Sequence, residues 1–181
     1  MRDMSQTLHV GAEKLYRGAV LELRRVSFRG RDGGTITKDM IHHRGAAVIL
    51  PVLGDGRMVL IRCYRYAMDD FLYELPAGTL EEGEDPARCA ARELAEETGY
   101  QARRLELLGR LAASPGTSDE VLHTYLADDL TAGPQDLERD EDIRVEPLTQ
   151  EQVRQMLLDG TIRDAKTAAA IGLYWLRKGV H

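Results

Sequence analysis

The chain has 181 residues, 43% of them hydrophobic and 30% charged, with a formal net charge of −6, enough for one domain with a real core and at most a small appendage. No run approaches the roughly 18 apolar residues of a membrane span, the N-terminus lacks the apolar stretch of a signal peptide, and Cys63 and Cys89 are too few for a disulfide framework or a zinc site, so a reducing cytoplasm is the expected setting. An acidic balance without a Lys/Arg block argues against broad nucleic-acid binding, while leaving room for an anionic small ligand whose charge arginines or metal cations offset.

In chain order, "LYRGAVLELRRVSF" alternates at Ala19, Leu21 and Leu23, "RGRDGG" turns, and "TITKDMI" returns, which predicts a hairpin. "GAAVILPVL" is a nearly unbroken apolar strand, "GDGR" turns it into "MVLIRCYRY", and "FLYELP" is a shorter strand stopped by Pro76. A helix is predicted at about 86–98, with Asp85 as N-cap, Pro86 in the first helical position and Gly99 as the stop. "RRLELLGRLAA" and "EVLHTYLA" read as strands around the turn "SPGTSDE", and "DEDIRVEPL" as the last strand. Thr149 and Gln152 form a capping box for a helix over 149–159, and a final helix runs from Asp164 to about Lys178. The expected class is α+β, an α/β/α sandwich with a mixed sheet and an N-terminal hairpin extension. The extension is placed at 1–43 and the main domain at 44–181.

The first of these helices crowds Glu93, Glu96 and Glu97 into five positions, although like charges at i,i+4 repel by roughly 0.2–0.5 kcal/mol per pair. With Leu94 set at 0°, Ala87, Ala90 and Ala91 fall within about 60° and form a small-residue packing face. Glu97, Glu93 and Glu96 follow near about −60°, −100° and −160°, one stripe beside that face. Arg92 stands one turn before Glu96 and can pair with it. Upstream, "ELPAGTLEEGE" reads as a loop in which Gly78 and Gly83 permit close backbone approach. Carboxylates beside a loop carbonyl suit a hard divalent cation, with substrate phosphates completing the shell. A short Glu-rich stretch alone would equally describe a solvated helix face; the spacing decides between them.

From Gly78 the chain reads G-x5-E-x7-R-E-L-x-E-E-x-G-Y, with Glu84, Arg92, Glu93, Glu96, Glu97 and Gly99 in place. This resembles the Nudix box at every defining position. The resemblance implies a hydrolase that binds Mg²⁺ or Mn²⁺ and cleaves a nucleoside diphosphate linked to another moiety. It implies Glu93 and Glu97 as metal ligands, Glu96 as a third or supporting ligand, the Ala77 carbonyl as a backbone ligand, Arg92 as the residue orienting the glutamates, and Glu84 as a brace of the loop and helix. "YELPAGTLEEGEDP" and "SPGTSDE" are similar to the ADP-ribose pyrophosphatase branch, as is Pro115 at 16 residues beyond Gly99. Hydrolases of other nucleoside diphosphate sugars, GDP-mannose among them, share this layout, and a non-catalytic nucleotide-sugar-binding module is a further alternative.

In that branch the base that activates water is an acid outside the box. "LERDEDIRV" offers Glu138, Asp140, Glu141 and Asp142; Glu141 best fits the position before the last strand, although each also reads as part of a solvated loop. Arg65 could clamp a phosphate through its planar fork. Tyr64, Tyr66 or Phe28 could stack on a base, although any one of them more often packs a core or a strand edge. The resemblance also implies a homodimer in which the N-terminal strands, through Phe28 and Arg29, contribute to the partner's site. His42 and His43, adjacent on a strand, point to opposite faces and make no metal pair. Cys63, Cys89 and Trp175 read as packing residues.

Overall fold

The computed structural model describes residues 9–18, 21–137, 139 and 141–179, and the chain divides into two compact units. The smaller comprises the described residues up to His43 together with Ala112–Glu120. It holds an antiparallel three-stranded sheet in the order β1 (His9–Arg17), β2 (Glu22–Arg29), β3 (Thr35–His42). The predicted hairpin is β2–β3, turned at Gly30–Gly34 with Gly33 at φ 84° and Asp32 accepting from the Gly34 N–H at 2.9 Å. The expected alternation missed β1, because the chain turns at Gly18, whose N–H donates to the Leu21 carbonyl; Ala19 lies outside the described residues. Segment 112–120 joins this unit through β3: the Ile41 N–H donates to Thr117, and Asp119 accepts from His42 Nδ1 and the His43 N–H, both at 2.7 Å. Each histidine is thus paired with an acid, His43 also with Glu120 at 3.5 Å.

The larger unit, Arg44–Leu111 with the described part of Val121–His181, is an α/β/α sandwich. One sheet has the order β7 (Ala77–Thr79), β4 (Ala46–Pro51), β9 (Val121–Ala132), β8 (Tyr100–Ala112), with β4 parallel to β9 and antiparallel to β7. The other has the order β10 (Ile143–Leu148), β5 (Met58–Arg65), β6 (Asp70–Glu74), all antiparallel. The unbroken apolar run of β4 follows from burial on both faces. Ala46, Val48 and Leu50 point into a cluster with α2 (Gln150–Leu158) and α3 (Ala165–Lys178), while Ala47 and Ile49 pack on Cys89, Ala90 and Leu94 of α1 (Pro86–Thr98). The sheet between those layers fixes where α1 lies. Trp175 packs against the first cluster and donates Nε1 to Gln150 at 3.2 Å. Cys63 and Cys89 are buried and unpaired. Among the described residues no helix is long and apolar enough to cross a membrane.

Candidate active site

The site is built where α1 meets the strand that precedes it. Asp85 caps α1 by accepting from the Ala87 and Arg88 N–H groups, Pro86 follows at the first position, and Gly99 ends it at φ 74°. A side chain at Gly99 would strike the Gly133 carbonyl at 2.3 Å. That close approach seats the next loop on the helix end, where Gln135 Nε2 donates to the Glu97 carbonyl at 2.6 Å and the Asp136 N–H to the Glu96 carbonyl at 2.9 Å. Two of the last-turn carbonyls, which a helix cannot satisfy itself, are thereby paired. The same loop leads to Glu141. Sequence reasoning missed Gln135 and Asp136; their only signal was the Gly-Pro turn just before them.

"ELPAGT" is not the open loop expected of it. Residues 77–79 form β7, paired as Ala46↔Thr79, Ala47↔Gly78 and Val48↔Ala77. Gly78 serves close approach, not positive φ: a Cβ there would lie 1.8 Å from Glu93 Oε1. Gly83, at φ 76°, supplies the turn. The Glu93 carboxylate therefore lies directly against the β7 backbone, and the neighbouring Ala77 N–H donates to Glu97 Oε2 at 2.9 Å.

Arg92 ties the remaining acids together. Its Nε and Nη2 each donate to Glu84 at 3.1 Å, while Nη1 reaches Glu93 Oε1 at 2.6 Å and Glu96 Oε2 at 3.0 Å. Glu84 also accepts from the Glu81 N–H at 2.9 Å, closing the turn before α1. These contacts hold the Glu84 carboxyl down at about 2, the Arg92 hydrogen bonds outweighing the cost of burial, and they raise Arg92 above its ordinary value.

Glu93 and Glu97 are buried, at 9% and 4% exposure. Burial raises both, and pushes Glu97 up to about 8. The Ala77 N–H and the Arg65 charge act against that rise at Glu97, while the charges of Glu93 and Glu141 add to it. Glu141, half-buried before β10, acts on Glu93 in the same sense. The structure therefore brings Ala77, Glu84, Arg92, Glu93, Glu96 and Glu97 together in one site, with Glu141 near enough for its charge to act on Glu93 and Glu97. Asp142, beside Glu141, is exposed; Glu138 and Asp140 lie outside the described residues.

The donor set matches a hard cation. Glu93 and Glu97 are desolvated carboxylates, and Glu97 has an N–H but no ion-pair partner among the described residues. Among the described residues no group of three or more His, Cys, Asp or Glu side chains is arranged to hold a metal ion. The set is open, as suits Mg²⁺ or Mn²⁺ ions that keep waters and take phosphate oxygens.

The substrate candidates fall in different places. Arg65 gives Nε and Nη2 to Glu74 at 2.8 Å each, so this part of its fork is engaged. Tyr64 donates to Asp69 at 2.5 Å and meets Tyr66 and Phe71 edge-on, at centroid distances of 5.1 and 5.3 Å, and Tyr66 is 73% exposed. Phe28 belongs to the smaller unit, edge-on to His9 at 5.9 Å. Pro115 lies exposed in the Ser114–Thr117 turn of that unit, where the Thr117 N–H donates to Ser114 at 2.9 Å.

The NUDIX domain model matches residues 41–171. The chain is 32% identical over 173 residues to the ADP-ribose pyrophosphatase of Bacillus subtilis, covering 94% of each chain. It is 34% identical over 191 residues to the GDP-mannose pyrophosphatase of Klebsiella pneumoniae subsp. pneumoniae, covering 96% of this chain and 93% of that one. Among solved structures, the crystal structure of ADP compounds hydrolase matches with a TM-score of 0.84 over 100% of both chains at 20% identity, a likeness of fold.

Proposed function

The chain belongs to the NUDIX domain family and is a Nudix hydrolase of the ADP-ribose pyrophosphatase-like kind, and we propose that it cleaves ADP-ribose to AMP and ribose 5-phosphate. The observation that carries this reading is the pair of buried carboxylates, Glu93 and Glu97, held under the β7 backbone with less positive charge than they need.

Glu93, Glu97, Glu96 and the Ala77 carbonyl would hold Mg²⁺ or Mn²⁺, which when bound neutralises diphosphate charge and lowers the pKa of water. Arg92 is the positioning residue: three carboxylates share its guanidinium, so their rotamers are fixed together. Glu141 takes the proton of the attacking water at its carboxylate, in keeping with the reach of its charge to Glu93 and Glu97. Arg65 meets the diphosphate with the part of its fork that Glu74 leaves free, and the Tyr64–Tyr66 pair offers an aromatic surface for a base.

The second reading is the same chemistry on GDP-mannose, favoured by the similarity to a GDP-mannose pyrophosphatase. A panel of nucleoside diphosphate sugars with product analysis separates the two. Higher kcat/KM for ADP-ribose supports the first; GDP-mannose far ahead overturns the substrate and leaves the reaction class intact. The reading also includes a homodimer through the N-terminal sheet, where Val10, Tyr16 and Ile36 are exposed, with Phe28 and Arg29 reaching the partner's site. The two buried thiols agree with a reducing cytoplasm.

A further inference from the structure

Glu74, the last residue of β6, is 1% exposed, less than any other buried charged residue among those described. Both of its oxygens are engaged. Oε1 accepts from Arg65 Nε and Oε2 from Arg65 Nη2, each at 2.8 Å, a bidentate pair. Lys166 Nζ of α3 also donates to Oε2, and stands 3.1 Å from Asp164 Oδ1. Asp164 caps α3 by accepting from the Thr167 N–H, and Thr167 Oγ1 accepts from the Leu75 N–H at 2.8 Å. A chain of alternating sign, Arg65–Glu74–Lys166–Asp164, thus runs from β5 through β6 to the first turn of α3.

A buried carboxylate is an expensive way to fill space, since apolar residues of similar size commonly do as well or better. What this one accomplishes is orientation. Arg65 is 39% exposed at its side chain, and its Nη1 has no acceptor among the described residues. Its charge reaches Glu97. With Nε and Nη2 locked, the guanidinium plane cannot turn, and the remaining donors are presented in one direction. Lys166 adds a second positive charge at Oε2 and so ties the buried carboxylate to α3 as well as to Arg65.

We propose that Glu74 is a positioning residue for substrate: it fixes Arg65 so that the free edge of the guanidinium receives the diphosphate, while Lys166 anchors Glu74 from α3. This rests on the reading of the site as a nucleoside diphosphate hydrolase. The structural alternative is that Glu74 merely ties β6 to α3.

The test is a double-mutant cycle on the full chain, reading KM and kcat for ADP-ribose with Mg²⁺, alongside Tm. Glu74→Gln is expected to raise KM about tenfold with kcat changed far less, as loss of a charged hydrogen bond to substrate would. Arg65→Ala is expected to do at least as much, and the double variant no more than Arg65→Ala alone, because Glu74 acts through Arg65. Lys166→Met, which leaves the Arg65 fork in place, is expected to lower Tm with KM within about twofold of wild type. Should Glu74→Gln fail to fold, Glu74→Asp, one methylene short of the fork, carries the same expectation. An unchanged KM in the Glu74 variant, or full additivity with Arg65→Ala, overturns the proposal. So does a Lys166→Met variant whose KM rises as far as that of Glu74→Gln. A wild-type chain that cleaves no nucleoside diphosphate sugar is a different result, and removes the underlying reading together with this one.

Discussion

Glu97 shows why the carboxylates are crowded on one helix. Its carboxyl is buried, pushed up to about 8, and accepts one N–H, from Ala77. In metal-free protein it therefore keeps a proton that the unfolded chain has already released above its ordinary value near 4.5. The native state binds more protons in that window, so its contribution to stability is present at low pH and is lost as pH rises toward 8. In EDTA, wild-type Tm should fall from pH 5 to pH 8 relative to Glu97→Gln; parallel curves would contradict this. Gly78 makes a second residue-level case. A methyl there would meet the Glu93 carboxylate at 1.8 Å, and that carboxylate, at the end of a flexible side chain, would swing away. Gly78→Ala should keep its fold by circular dichroism and lose about 10²-fold in kcat, since misplacing a reacting constellation by an ångström costs that much. Retained turnover would show that Glu93 need not lie where it does.

Helix α1 was legible because its signals are local: the N-cap, the proline, the stop glycine and the spacing of its acids all lie within 15 residues of one another. Asp85→Ala removes the acceptor for two N–H groups and should cost about 1 kcal/mol, read as a fall of roughly 2–4 °C in Tm. No change would mean the cap is replaced by water. Strand β7 was not legible. Three residues after a proline carry no periodicity, and their strand character comes from pairing with β4, a long-range fact. The Gln135 and Asp136 contacts to the end of α1 were hidden for the same reason. Glu74 drew no notice within "FLYELP"; only the approach of Arg65 and Lys166, the latter 92 positions away, distinguishes it.

For the whole molecule, the layer order followed from the sequence, because the unbroken apolar run of β4 demands a layer on each face, and the 23-residue motif marked where the acids of α1 gather. Substrate choice and assembly did not, since they depend on surfaces that no local pattern encodes. The exposed apolar residues of the N-terminal sheet give the dimer a concrete test. Light scattering should report twice the chain mass, and Val10→Glu with Tyr16→Glu on β1 should return it to one; a wild-type monomer at micromolar concentration would contradict the assembly. The proposed reaction is decided by release of AMP from ADP-ribose by the purified protein, with Mg²⁺ or Mn²⁺ and again with EDTA. Metal-dependent AMP, abolished by EDTA and reduced about 10²–10³-fold in kcat by Glu97→Gln, is the predicted result. AMP release that survives both EDTA and Glu97→Gln, or none with either metal, would contradict the account.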